Sequence, residues 1–120
     1  MGRSGRSPDT GLGVRRGDIV TVALQGDFGK PRPALVIQSD LFHTHPSTTV
    51  LPITSELLDT PLFRLSLKAS SRTGLHKDSQ IMVDKSQTVS RARLGPVVGR
   101  LSREEIQQVD RALAVFLGVI

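Results

Sequence analysis

A chain of 120 residues with a formal net charge of +5 and a pI near 10.7 has room for one hydrophobic core and not for two. With no cysteine it can build neither a disulfide framework nor a thiolate metal site, which fits a reducing cytoplasm. The basic start Met1-Gly-Arg-Ser-Gly-Arg-Ser7 is followed by no apolar stretch of the secretory kind, and Ala112–Ile120 is far shorter than the roughly 20 residues a membrane span needs.

Residues 1–13 are rich in Gly and Ser with almost nothing apolar. They are expected to form a disordered tail, with the folded domain running over 14–120. Val14–Leu24 reads as a first strand, with Ile19, Thr21 and Ala23 on one face and Val20, Val22 and Leu24 on the other. Gln25–Lys30 is a loop in which glycines flank Phe28. Arg32–Gln38 is apolar on both faces, as a central strand would be. Thr48–Thr54 makes a third strand whose Pro52 suggests a bulge or an edge. Leu62–Leu67 alternates as a half-buried fourth, Gln80–Asp84 is a fifth, and Pro96–Leu101 a short sixth. Short strands at close spacing without intervening helices predict an antiparallel barrel or sandwich. A single helix follows: Ser102-Arg-Glu-Glu105 forms a capping box. Ile106, Val109, Leu113, Phe116 and Leu117 recur at helical spacing as a core or interface stripe, and Gly118 supplies the stop. Val119-Ile120 leaves an apolar tip suited to burial against a second subunit.

Charge is unevenly placed. Between Arg64 and Arg93 lie seven Lys/Arg against two Asp, which equals the whole surplus of the chain. Such a segment reads as a footprint for a polyanion or as a solvated basic face. Four Phe and no Tyr or Trp leave few platforms for stacking bases.

Chemistry concentrates at Lys30-Pro31-Arg32-Pro33. Pro33 excludes the α region for Arg32, and Pro31 fixes its own φ, so the backbone carrying this guanidinium is stiffened. A charged fork so held is suited to a phosphate; an exposed arginine at the start of a strand is the plainer reading. Thr54 precedes Ser55-Glu56, where a threonine hydroxyl ordinarily caps a turn. Asp84 is a weak base unless burial raises it, and is equally a partner for Lys85 or a strand-end cap. The three histidines, His43, His45 and His76, are weighed because paired imidazoles can cut RNA by acid-base catalysis. His43-Thr-His45, without Cys or an acid nearby, makes a poor metal site. Phe28 can stack on a base or lie as a lid on the core.

Taken in order, Arg16-Gly-Asp-Ile-Val, Lys30-Pro-Arg-Pro-Ala-Leu-Val-Ile-Gln38, Val50-Leu-Pro-Ile-Thr54, Ile81-Met-Val-Asp-Lys-Ser-Gln-Thr-Val89, Leu94-Gly and the helix ending Leu117-Gly-Val-Ile120 resemble the MazF/PemK family of toxin endoribonucleases. The resemblance covers residues from about Val14 to Ile120. It implies a mainly β fold, an SH3-like barrel of the CcdB/MazF/PemK type with a C-terminal helix, a homodimer and a cognate acidic antitoxin. It further implies cleavage of single-stranded RNA without metal or cofactor, by attack of the ribose 2′-OH on the adjacent phosphorus, in the cytoplasm. On that resemblance Arg32, Thr54 and Asp84 are the expected catalytic residues. Phe28, Lys30 and Ser55, with Arg64, Lys68, Lys77 and Lys85 from the basic segment, are the expected RNA contacts. Met82 stands where some relatives carry a second catalytic arginine, which shifts weight onto Arg32. Gyrase poisons share the barrel-plus-helix plan, and a gyrase-binding toxin or a catalytically inactive RNA-binding barrel are the alternatives. Those poisons use an aromatic near the C terminus, whereas here the last residues are Phe116-Leu-Gly-Val-Ile120.

Overall fold

The computed structural model describes residues 13–120; all but the last residue of the expected tail lies outside them. Seven strands, β1 (Asp18–Ala23), β2 (Pro31–Val36), β3 (Ser47–Thr54), β4 (Arg64–Leu67), β5 (Ser79–Met82), β6 (Gln87–Ser90) and β7 (Val97–Arg100), precede one helix, α1 (Arg103–Leu117). The sheet runs β4-β5-β3-β2-β1-β7, with β6 paired to β3, and every pairing is antiparallel. It curls into a half-barrel, as the alternating short strands predict. No helix among the described residues is long and apolar enough to cross a membrane.

Both faces of the curled sheet are covered. Ile19, Leu35, Leu51, Ile53, Leu67 and Ile81 pack under α1, which contributes Val109 with the half-buried Ile106 and Leu113. Val20, Val22, Leu24, Ala34, Val36, Val50 and Leu94 form the second cluster on the other face. The period-2 split of β1 across these clusters follows from the pleat. Helix α1 opens with Ser102, whose hydroxyl accepts from the Glu105 amide while the Glu105 carboxylate accepts from the Ser102 amide, and it ends at Gly118 in the left-handed region at φ 75°. Beyond Leu113 the apolar stripe leaves the core: Phe116, Leu117, Val119 and Ile120 are at least half exposed.

Some expectations move. The first strand begins at Asp18 rather than Val14, because Gly17 turns the chain at φ 94°, although Val14 is buried. Leu62 belongs to the turn before β4, and Val83 and Asp84 to the turn after β5. Pro52 marks neither edge nor bulge. It is buried opposite Ala34, in the interval where β3 passes from β6, paired over 47–50, to β5, paired over 53–54. A residue without an N–H costs no ladder bond in that gap. Strand β6 was not expected at all. Its alternating half-exposed residues, of which only Val89 is apolar, become a strand because the outer half of β3 supplies a partner.

Candidate active site

Arg32 lies near the start of β2, paired with Val22 of β1, and Thr54 ends β3, paired with Gln80 of β5. The β2–β3 ladder, which sets Ala34 opposite Pro52, brings these two strand ends to the same side of the sheet. Arg32 and Thr54 line one cleft of 620 Å³ together with Asp27, Ser55, Glu56, His76, Lys77, Ser79 and Met82. The Arg32 side chain is half exposed, at 51%, so its donors face the cleft rather than the core.

Three segments wall this cleft. The first is the β1–β2 loop. Its turns are closed by Asp27 N–H to the Leu24 carbonyl (3.0 Å) and Lys30 N–H to the Asp27 carbonyl (2.9 Å). Phe28 occupies the left-handed region at φ 54°, where non-glycine residues are uncommon, and its side chain is wholly exposed. The turn folds Asp27 back toward the strand, bringing its carboxylate 3.7 Å from Arg32 Nε. Asp27 is a cleft residue that sequence reasoning passed over.

The second wall is the turn after β3. The Thr54 hydroxyl accepts from the Glu56 amide (3.1 Å), so it caps the turn and lines the cleft at once; accepting that bond leaves its own proton available to donate. Buried Gln80 holds the rest of this segment: its Oε1 accepts from the Leu58 amide (3.0 Å) and its Nε2 donates to the Leu58 carbonyl (2.9 Å).

The third wall is the segment 68–79 between β4 and β5. The buried Thr73 hydroxyl donates to the Lys68 carbonyl (3.0 Å) and accepts from the Ser70 amide (3.1 Å). Asp78 accepts from the Ala69 amide (2.9 Å). Gly74 sits at φ 71°, and a Cβ there would overlap the Val98 carbonyl oxygen of β7; a Cβ on Gly99 would overlap the Thr73 carbonyl. Arg72 ties the segment to the helix, donating to the Arg100 carbonyl (3.0 Å) and to both Glu105 oxygens (2.7 and 3.2 Å). Those bonds raise the Arg72 pKa. Burial pushes the Glu105 carboxyl up, but the Arg72 and Ser102 donors outweigh it and hold the group below its ordinary value.

Of the expected site residues, Arg32, Thr54, Ser55 and Lys77 share the cleft, and Met82 lines it where a second arginine is absent. Phe28, Lys30, Arg64, Lys68, Asp84 and Lys85 do not line it. Arg64 is committed to the protein itself, its Nη1 donating to the Glu56 carbonyl and to Gln80 Oε1 (both 3.0 Å). Asp84 lies 3.6 Å from Lys85 Nζ, with a buried Oδ1. This is the ion-pair reading of those two residues. Phe28 is no lid on the core, since nothing covers it. Only Lys77 of the basic segment reaches the cleft; Arg91 is buried, donating to the His45 and Phe42 carbonyls. Among the described residues no three His, Asp or Glu side chains gather as metal ligands would.

A curled antiparallel sheet capped by one helix, with an arginine and a threonine lining one cleft beside its central strands, defines a class. The chain belongs to the PemK-like, MazF-like toxins of type II toxin-antitoxin systems, whose family profile matches residues 15–117. It is 47% identical over 107 residues, 88% of this chain and 98% of the relative, to the probable endoribonuclease MazF of Mycolicibacterium smegmatis. Identity to the endoribonuclease EndoA of Bacillus subtilis is 30%, over 89% of this chain and 97% of that one. Among solved structures, the Mycobacterium tuberculosis toxin MazF-mt6 matches with a TM-score of 0.73 at 24% identity, covering 84% of this chain and 96% of that one. A mycobacterial endoribonuclease in complex with its cognate antitoxin matches with a TM-score of 0.75 at 18% identity, covering 89% and 97%. At those identities the structural likeness is one of fold, and it agrees with the barrel-type toxin fold expected from the sequence.

Proposed function

We propose that this toxin is a cytoplasmic endoribonuclease that cuts single-stranded RNA through the substrate's own 2′-OH, with the scissile phosphate held between Arg32 and Thr54. The observation that carries the reading is that these two side chains line one cleft. In-line attack builds negative charge on the non-bridging phosphate oxygens, and a fixed cation with a fixed hydroxyl donor lowers that barrier most when both are aimed beforehand. A guanidinium keeps its proton at neutral pH and cannot take the one on the 2′-OH. Two carboxylates line the cleft, Asp27 and Glu56, and Asp27, 3.7 Å from Arg32 Nε, is assigned the acceptor role. Asp84, outside the cleft and beside Lys85, is given no part in the chemical step. Lys77 and Ser55 contact the RNA backbone within the cleft. Exposed Phe28 stacks on a base at its edge, and Lys30, Lys68 and Lys85 act at longer range through their charge.

Relatives named as endoribonucleases favour this reading over a gyrase-binding toxin. The complex of a structural neighbour with its cognate antitoxin supports an antitoxin as the partner, and the cations Arg32 and Lys77 in the cleft favour an acidic segment laid over Arg32, so that antitoxin and RNA exclude one another. The exposed apolar end of α1 supports a homodimer. The test is cleavage of a long single-stranded RNA in EDTA. The expected products are a 2′,3′-cyclic phosphate and a 5′-OH, and a single 2′-deoxyribose at a mapped cut site should block cutting there. Efficient cutting of the deoxy substrate overturns the mechanism.

A further inference from the structure

Three imidazoles are present, and the fold treats them differently. His43 Nδ1 lies 3.1 Å from the Asp40 carbonyl, and His45 Nδ1 takes a bond from the Ser47 amide at 3.2 Å. Both belong to the short turn between β2 and β3, away from the cleft. His76 has no hydrogen-bond partner among the described residues, is exposed, and lines the cleft with Arg32 and Thr54. It stands two residues after Gly74, which packs closely on the Val98 backbone of β7.

We propose that His76, as the imidazolium, is the general acid that protonates the departing 5′-oxygen. The proposal rests on the RNA-cleaving role assigned to the same cleft. In the step, the 2′-oxygen forms its bond to phosphorus as its proton passes to the Asp27 carboxylate. The bond from phosphorus to the 5′-oxygen breaks, and that oxygen takes the proton from His76. The products are a 2′,3′-cyclic phosphate and a 5′-OH, and the two side chains return to their starting states by exchange with water. Arg32 and Lys77 are cations that hold their protons at neutral pH, so neither is matched to donate; imidazole is the side chain whose ordinary charge change falls between pH 5 and 8. The charged groups that share the cleft with His76 are Asp27 and Arg32 from the β1–β2 side, Glu56 from the turn after β3, and Lys77 beside it.

A leaving group that needs no proton tests this. One mapped site is made in two forms, with the ordinary 5′-oxygen and with a bridging 5′-sulfur, which departs as a thiolate. On the oxygen substrate His76→Gln is expected to lower kcat by about a hundredfold or more, in the range general acid catalysis supplies. The alkaline limb of the wild-type pH profile should disappear with it. On the sulfur substrate the variant should come within a few-fold of wild type. Lys77→Gln should lose equally on both substrates, as a binding residue does, and a His43→Gln/His45→Gln double variant should match wild type. Equal deficits of His76→Gln on both substrates, or no deficit on either, overturn the proposal while leaving the ribonuclease reading standing. Failure of the wild type to cut either form at any site removes that reading itself.

Discussion

Loop 24–30 and segment 68–79 both line the cleft, yet they are built on different plans. In the loop, Gly26 (φ 92°) and Gly29 (φ 80°) turn over open space, with nothing within 4 Å of where a Cβ would stand. Phe28 between them touches no core. In segment 68–79, Gly74 sits where a Cβ would strike the β7 backbone, as a Cβ on Gly99 of β7 would strike the segment, and one buried threonine hydroxyl ties the turn together. The loop's glycines serve dihedral freedom alone; glycine at the braced wall serves contact as well. A site that must accept a flexible RNA while holding reacting groups still has reason for both, with adaptability on the wall carrying the proposed stacking side chain and stiffness on the wall carrying the proposed proton donor.

The sharpest probe is Arg32, which stands between the two walls. Arg32→Ala should cost a hundredfold or more in kcat, about 2.7–4 kcal/mol of transition-state stabilisation, with the circular dichroism spectrum and thermal midpoint unchanged. A variant retaining a tenth of wild-type activity would remove Arg32 from the chemistry. Next come the glycines. Gly74→Ala combines a left-handed φ with backbone overlap and should lower unfolding stability by about 2–4 kcal/mol, cutting activity with it. Gly26→Ala, strained but unobstructed, should cost about 1 kcal/mol and spare kcat. Equal losses in denaturant titrations would break the distinction between the walls.

Smaller effects sharpen it further. Phe28→Ala should raise KM a few-fold at constant kcat, because base stacking is worth ~1–3 kcal/mol per base; a fall in kcat alone would place Phe28 in the chemical step. Glu105 links the braced wall to the helix. Because its folded pKa lies below its unfolded value, its contribution is complete above the ordinary carboxylate range and is lost as pH falls through the depressed value. Wild type should therefore lose stability relative to Glu105→Gln on acidification below about pH 4.5. Parallel stability curves for the two proteins would exclude that coupling.

Local rules made much of this legible. Short apolar runs bounded by turn residues located β1, β2 and β3, alternation located β4, and the Ser102–Glu105 spacing located the start of α1, because each reports a local constraint. The meeting of Arg32 and Thr54 in one cleft was available only through the resemblance, since 22 residues separate them and strand pairing decides it. Asp27 escaped because an acid in a glycine loop carries no periodic signal; its place depends on how the turn closes. Strand β6 escaped because its sequence is polar and its partner, the outer half of β3, is distant in the chain. Charge counting along 64–93 misled in one respect: formal charge does not reveal that Arg64, Arg72 and Arg91 are engaged in bonds to the protein itself.

The closure of the sheet through β7 has a consequence for synthesis. Val98 lines the cleft, Gly74 rests on its carbonyl, and Arg72 requires the Arg100 carbonyl and Glu105. Strand β7 pairs with β1, about 80 residues earlier in the chain. Pairings so remote in sequence form late, after the loop-closure entropy has been met. A nascent chain that has left the ribosome only as far as β6 already carries Arg32, Thr54 and His76, but it has no braced wall to hold them in register. The cleft is therefore complete only once residues near 105 have joined the fold.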